Sequence, residues 1–219
     1  MSRRAIVLSL LSNALVHTGC LSPSRIVNRP DSAATDRAIN TLWAQEIANV
    51  AQNGDWLLSR SYYLLGDVIT TFTSGEAFSH AAVYDADRQM VIEAVSTGVR
   101  EVSLEVFLSR NHYVAVVRPA NMTAYQREFA LGRARTQVGK HFDTFGMFGI
   151  DDPQTFYCSE LATWAAQTEA RAGKAPFVVT PADLIKYGNL VYWSGSRTNH
   201  QTMAQARAST SHVDISIAE

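Results

Sequence analysis

Phe156-Tyr157-Cys158-Ser159-Glu160-Leu161 places a cysteine where a loop rich in Gly and Asp gives way to an apolar run. Beyond it, Leu161, Trp164, Ala165 and Thr168 recur at spacings of three and four, which predicts a helix with one apolar face whose first turn begins at or just after Cys158. A sulfur at a helix N-terminus meets unpaired amide N–H groups and the positive end of the macrodipole. Both favour thiolate over thiol and make the sulfur a nucleophile. The competing reading is a small buried hydrophobe, the commoner fate of a lone cysteine.

Working outward, a nucleophilic thiolate needs a base and a group that orients the base. Phe78 to Tyr84 and Gln89 to Val95 are β-type runs flanking Asp85-Ala86-Asp87-Arg88, which reads as a hairpin. A two-residue loop (Ala86-Asp87), or a four-residue loop from Asp85 to Arg88, pairs Tyr84 with Gln89, Ala82 with Val91 and His80 with Glu93. Directly opposed side chains have Cβ atoms about 4.5–5.5 Å apart, close enough for a carboxylate to hold an imidazole. A three-residue loop would break the pairing. The alternative is a histidine at a strand end with Glu93 in a surface ion pair.

The remaining chain supplies a frame. Ile39, Leu42, Trp43, Ile47 and Val50 mark an amphipathic helix from Thr35 to Asn53, capped by Ser32 or Thr35 and followed by Gly54. Asp55 to Ser59 reads as a short strand and Tyr62 to Phe72 as a crossover helix. Val99 to Val102 and His112 to Arg118 extend the sheet through antiparallel neighbours, with a short helix from Ser103 to Ser109 between them. Thr123 with Gln126 is a capping-box pattern opening a helix to about Val138, whose Arg127, Arg133 and Arg135 read as a solvated face. Lys140 to Thr155 is the loop leading to Cys158. Thr180-Pro181-Ala182-Asp183 starts another short helix, and Val191-Tyr192-Trp193 is a last strand.

Composition narrows the function classes. The 219 residues are 47% hydrophobic and 18% charged, with a net charge of −1 and no basic run, so neither disorder nor nucleic-acid binding is expected. Arg3 and Arg4 precede an apolar segment from Ala5 to Val16, and Thr18-Gly19 then leads to Cys20, the pattern of an export signal. Residues 1–20 are therefore read as a signal peptide, 21–34 as a tether, 35–193 as the catalytic domain and 194–219 as a polar tail. Gly19-Cys20 resembles a bacterial lipobox, which makes Cys20 a lipidation site, although His17 stands where an aliphatic residue is usual; a plain secretory signal is the other reading. Cys20 and Cys158 are the only cysteines. If Cys20 is acylated, Cys158 remains a free thiol in an oxidising compartment, which favours a chemical role for it.

Cys158, His80 and Glu93 together form a constellation suited to acyl transfer. No H-x-x-x-H pair or second nearby cysteine supports a zinc site, and neither a metal nor another cofactor is expected. Here the chain resembles the circularly permuted NlpC-type papain-like cysteine amidases, and within them the YiiX/YaeF-like group. The resemblance rests on Gly54-Asp55, Ser79-His80-Ala81-Ala82-Val83-Tyr84, Ile92-Glu93-Ala94 with Gly98-Val99, Val138-Gly139-Lys140 with Phe142-Asp143, Tyr157-Cys158-Ser159-Glu160-Leu161 and Thr180-Pro181-Ala182-Asp183-Leu184. His141-Phe142 departs from the Pro-Tyr-like pair expected before Asp143.

The resemblance implies an α+β permuted papain-like fold, an antiparallel sheet packed against helices with the nucleophile at a helix N-terminus. It implies Cys158 as nucleophile, His80 as base and Glu93 as the third member. Tyr157 could line the pocket or assist an oxyanion hole, though a core aromatic fits it better; the Cys158 backbone N–H is the stronger oxyanion donor, and Glu160 reads as a helix cap. The expected activity is amide hydrolysis on a small peptide or peptidoglycan-derived substrate in the cell envelope. Membrane contact would come only through the N-terminal lipid, which would place the protein at the periplasmic face of the outer membrane, or leave it periplasmic or secreted without it. An acyltransferase, thioesterase or lipid hydrolase using the same trio, and a non-catalytic envelope binding module, are the alternatives.

Overall fold

The computed structural model describes residues 29, 32–62, 77–146, 149, 150, 152, 154–167 and 178–198. The expected signal peptide with Cys20, most of the expected tether, nearly all of the expected Tyr62–Phe72 helix and residues 199–219 lie outside them. Among the described residues the elements run α1 (Ala33–Val50), β1 (Trp56–Ser61), β2 (His80–Asp85), β3 (Met90–Val95), β4 (Gly98–Ser103), α2 (Leu104–Leu108), β5 (Asn111–Pro119), α3 (Ala124–Arg135), α4 (Cys158–Ala166), a 3₁₀ turn (Ala182–Tyr187) and β6 (Gly188–Trp193). The strands form one sheet in the order β4-β3-β2-β1-β5-β6, with every neighbouring pair antiparallel. This is the expected α+β architecture.

Strand alternation divides the core between the two sheet faces. Leu58, Ala81, Val83 and Ile92 pack with Leu131 of α3 and Leu161, Ala162 and Ala165 of α4. On the other face, Leu57, Ala82, Tyr84 and Val91 pack with Trp43 and Ile47 of α1 and Phe107 of α2. The inner strands β1, β2, β3 and β5 are buried on both sides, which explains why they read as near-continuous apolar runs rather than clean alternations.

Local chemistry sets the element ends. Ser32 caps α1 by accepting from Thr35 N, and Thr123 and Gln126 form the reciprocal capping box of α3. Gly54 has φ +78°, and a Cβ there would lie 2.3 Å from the Arg127 carbonyl oxygen, so only glycine fits the turn into β1. Gly98 has φ +111° and a comparable clash with the Lys140 carbonyl. Val99 N donates to Lys140 O, and Gly139 N to Val99 O. The Gly98-Val99 and Val138-Gly139-Lys140 motifs thus meet each other, fastening the loop after α3 to the start of β4.

Two expectations are corrected. The β2–β3 loop is Ala86 to Gln89, and the register pairs Ala82 with Glu93, Val83 with Ile92, Tyr84 with Val91 and Asp85 with Met90. The expected register is therefore displaced by two residues, leaving His80 and Glu93 diagonal rather than directly opposed. Asn53 causes much of this, because its Oδ1 accepts from Ala86 N and Asp87 N, while Asp85 Oδ1 accepts from Arg88 N and Gln89 turns through φ +50°. A two-residue displacement preserves the face.

The α3 arginines are not a solvated face. Arg127 is buried and donates to Met122 O and Gln52 Oε1, Arg135 pairs with buried Asp85, and Arg133 lies over the Trp164 ring with Cζ 4.3 Å from its centroid. Tyr125 and Phe129 of the same helix are exposed instead. The carboxylates that reverse the pattern come from the β1 and β2 edges and are far away in sequence.

Candidate active site

Cys158 is the first residue of α4, and Tyr157 is its N-cap residue. Glu160 Oε2 accepts from Tyr157 N at 3.3 Å, so Glu160 caps the helix as expected. Ser159 Oγ donates to Val179 O at 2.7 Å, and Tyr157 Oη accepts from Val179 N at 3.2 Å. Tyr157 thereby braces the cysteine helix against the 179–180 segment. Asp143 shapes the approach, since its carboxylate accepts from Gly146 N and Asp152 N. Thr180 and Asp183 bond each other where the 3₁₀ turn opens. Several motif residues thus hold the loops around the cysteine in place.

His80 opens β2. Alternation points it, with Ala82 and Tyr84, toward the α1/α2 face, whereas α4 packs on the opposite face. The histidine and the cysteine therefore meet at the end of the sheet. His80 Nε2 lies 2.8 Å from Glu93 Oε2, which leaves Nδ1 as the ring nitrogen for the sulfur. Glu93 is fully buried, and its other oxygen, Oε1, accepts from Arg110 at 2.7 Å and Arg100 Nε at 3.0 Å. The Phe107 ring lies 6.0 Å from the imidazole and closes the apolar side.

These contacts polarise the trio. Burial by itself would lower the His80 pKa, but hydrogen bonds to Cys158 and Glu93 and the charges of both raise it to about 9. Burial would raise that of Glu93, but the His80 hydrogen bond and charge, followed by Arg110, bring it down to about 2. The Cys158 thiol is likewise held below its ordinary range: burial opposes this, and His80 outweighs burial, assisted by the Ala81 backbone and Ser159. All three directions favour the charged forms: proton on His80, negative charge on Cys158 and on Glu93 behind it.

The other two described histidines, His112 and His141, are not part of this cluster. His112 is buried, with Nδ1 3.3 Å from Tyr62 Oη, and burial, then Arg197 and Arg60, lower its pKa. His141 is exposed. Among the described residues no group of three or more His, Cys, Asp or Glu side chains is arranged to hold a metal ion. Arg100 and Arg110 were missing from the sequence reading. Arg100 directly opposes Glu93 on β4 and could have been found by pairing the second hairpin, whereas Arg110 arrives from the α2–β5 turn and has no local signal.

A cysteine activated at a helix N-terminus by a histidine on an antiparallel sheet defines a papain-like site. The family model of permuted papain-like amidase enzymes, YaeF/YiiX, C92 family, matches residues 50–176, more than half of the chain. The chain belongs to this family, and with it to the cysteine amidases and peptidases. Among solved structures it is similar to the metalloprotein YiiX from Escherichia coli O157:H7, with 20% identity, a TM-score of 0.50 and coverage of 64% of this chain and 96% of that one, a likeness of fold. Comparison with the curated proteins gives no match.

Proposed function

We propose that this chain hydrolyses an amide bond in a small peptide through a thioacyl-enzyme, with Cys158 as nucleophile, His80 as acid and base, and Glu93 orienting His80. The observation that carries this reading is the continuous connection from Glu93 through His80 to a cysteine at a helix N-terminus.

The Cys158 thiolate adds to the carbonyl carbon, and the C=O electrons move onto oxygen. The Cys158 N–H at the start of α4 is the donor offered to that oxyanion. As the C=O re-forms, the C–N bond breaks and the His80 imidazolium gives its proton to the departing amine. Water then loses a proton to His80 and attacks the thioester, and the thiolate leaves. Glu93 holds the imidazole in one orientation throughout and stabilises its charged form.

The fold neighbour is described as a metalloprotein. A cation does not suit this trio, because Glu93 Oε1 already accepts from two guanidinium groups and Oε2 is directed at His80.

Export with acylation of Cys20 is part of the same proposal and makes a peptidoglycan-derived peptide the favoured substrate. A thioester or lipid acyl substrate is the second reading. It is favoured by the aromatic group of Phe78, Tyr113 and half-exposed Trp193 at the same end of the sheet as His80. The deciding experiment incubates the full chain and its Cys158→Ala variant with muramidase-digested cell wall and with acyl thioesters. Products 18 Da heavier in sum than a single peptide, formed only with Cys158 present, support the amidase. Turnover of thioesters alone would replace it with the second reading. Intact mass of the protein recovered from membranes tests acylation of Cys20.

A further inference from the structure

The cluster around Glu93 contains more positive charge than a Cys-His-Glu trio requires. Thiolate, imidazolium and carboxylate together carry −1, and Glu93 is completely buried. Two arginines meet its Oε1. Arg100 is 42% exposed, so water screens its charge, but Arg110 is 13% exposed and bonds the carboxylate at 2.7 Å.

Arg110 is also fixed from behind. Its Nε donates to Val106 O, and its guanidinium lies 5.9 Å from the centre of the Phe107 ring that flanks His80. The turn that bears it is gripped by Arg197, which donates to Leu108 O at 2.6 Å and Asn111 O at 2.7 Å. A guanidinium held at both its backbone and its head has little freedom to leave the carboxylate.

We propose that Arg110 is a positioning residue of the site: by occupying Glu93 Oε1 it directs Oε2 to His80 and supplies the buried positive charge that lets a thiolate coexist with an ionised Glu93. This rests on the cysteine-amidase reading above and adds a residue to its machinery. Among the described residues, the charged and titratable groups facing His80 and Glu93 are Cys158 from α4, Arg100 from β4 and Arg110 from the α2–β5 turn. The neighbouring strand β1 contributes uncharged Ser59 beside His80. On β5, beyond β1, His112 bonds Tyr62 instead.

The sign of the effect follows. Removing Arg110's charge leaves the carboxylate's negative charge answered only by the more exposed Arg100, so the thiolate becomes harder to form. For a charge that acts on the sulfur from beyond Glu93 and His80, at roughly 10 Å in partly buried surroundings, the expected rise is about one pH unit.

The test is the rate of Cys158 alkylation by iodoacetamide against pH in the full chain, read by mass spectrometry of the Cys158 peptide so that Cys20 does not contribute. Arg110→Gln is expected to move the midpoint up by about one pH unit, and Arg110→Lys to return it toward the wild-type position. Coincidence of the wild-type and Arg110→Gln midpoints overturns the proposal. If Arg110→Gln does not fold, Glu93→Gln/Arg110→Gln, which buries neither charge, is compared with Glu93→Gln. An upward midpoint in the double variant supports the proposal, and identical midpoints overturn it. A wild-type midpoint already near the ordinary thiol value of about 8.5 would instead defeat the activated cysteine, a failure distinct from that of Arg110.

Discussion

Two fully buried carboxylates stand on this sheet, one where β1 begins and one toward the far end of β3. Asp55, just before β1, takes Arg118 through both carboxylate oxygens at 3.0 and 2.9 Å, with Arg127 3.9 Å away. Glu93, toward the end of β3, takes Arg110 and Arg100 on one oxygen and His80 on the other. Their arginine partners are equivalent in kind. The difference is that Asp55 has both oxygens committed to guanidinium groups and to the Gln52 amide, whereas Glu93 keeps one oxygen for a group that titrates and reaches a sulfur. A buried charge fully answered by permanent charges is a structural fixture, and one answered partly by an imidazole can change state within a reaction cycle.

The largest effect expected from breaking this contrast is kinetic. Cys158→Ala should reduce amide hydrolysis by about four orders of magnitude or more while the thermal midpoint stays close to wild type, measured by turnover and calorimetry on one preparation. Comparable loss from Asp55→Asn in a protein that remains folded would erase the distinction between the two carboxylates.

Stability should show the reverse pattern. Asp55→Asn leaves Arg118 without its charged partner and should cost about 3 kcal/mol in denaturant unfolding, with the Cys158 alkylation profile unmoved. Behind the Glu93 end, Arg197 is fully buried against Asp36, Asn40, Leu108 O and Asn111 O, with its guanidinium 4.5 Å from the centre of the Trp43 ring. Arg197→Gln should cost a similar amount. No change in unfolding would mean that the segment after β6 is dispensable.

The Glu93 end also predicts a pH dependence. Its folded pKa, about 2, lies below the ordinary value of 4.5, so the stability it contributes is present above about 4.5 and is lost as pH falls toward 2. The melting difference between wild type and Glu93→Gln should therefore shrink through that window, by a few kcal/mol in all. On the alkaline side the signs oppose. His80 contribution is full below its ordinary 6.5 and fades as pH rises through about 9, while the depressed Cys158 thiol contributes above its ordinary range. The acid window is thus the cleaner measurement.

The smallest effect distinguishes two readings of Tyr157. As a brace to Val179 N, its conversion to Phe should cost about 1 kcal/mol and leave turnover within a few-fold. A hundred-fold loss in turnover would instead place its hydroxyl at the oxyanion.

The sequence alone determined the elements whose causes are local. The Thr123 cap, the Ser32-or-Thr35 start of α1, the 3.6-residue stripe after Cys158 and the β-type runs on either side of Asp85 all lie within a few residues of what they specify. The pairing of His80 with Glu93 was legible because strand parity survived a two-residue error in register. Helix α4 ends earlier than the apolar spacing implied, at Ala166, with Gln167 in the left-handed region at φ 52°.

Tertiary structure decided what depends on partners distant in the chain. Asn53 selected the β2–β3 turn, Asp55 lies beside buried Arg127, Asp85 took the head of part-exposed Arg135, and Glu93 gathered Arg110. Arg197, which composition would assign to a polar tail, became part of the core because five acceptor oxygens from four residues converge on it. Hydrophobic periodicity records which face of an element avoids water. It does not record where a buried charge finds its opposite, because that attraction acts through space between residues that the sequence separates.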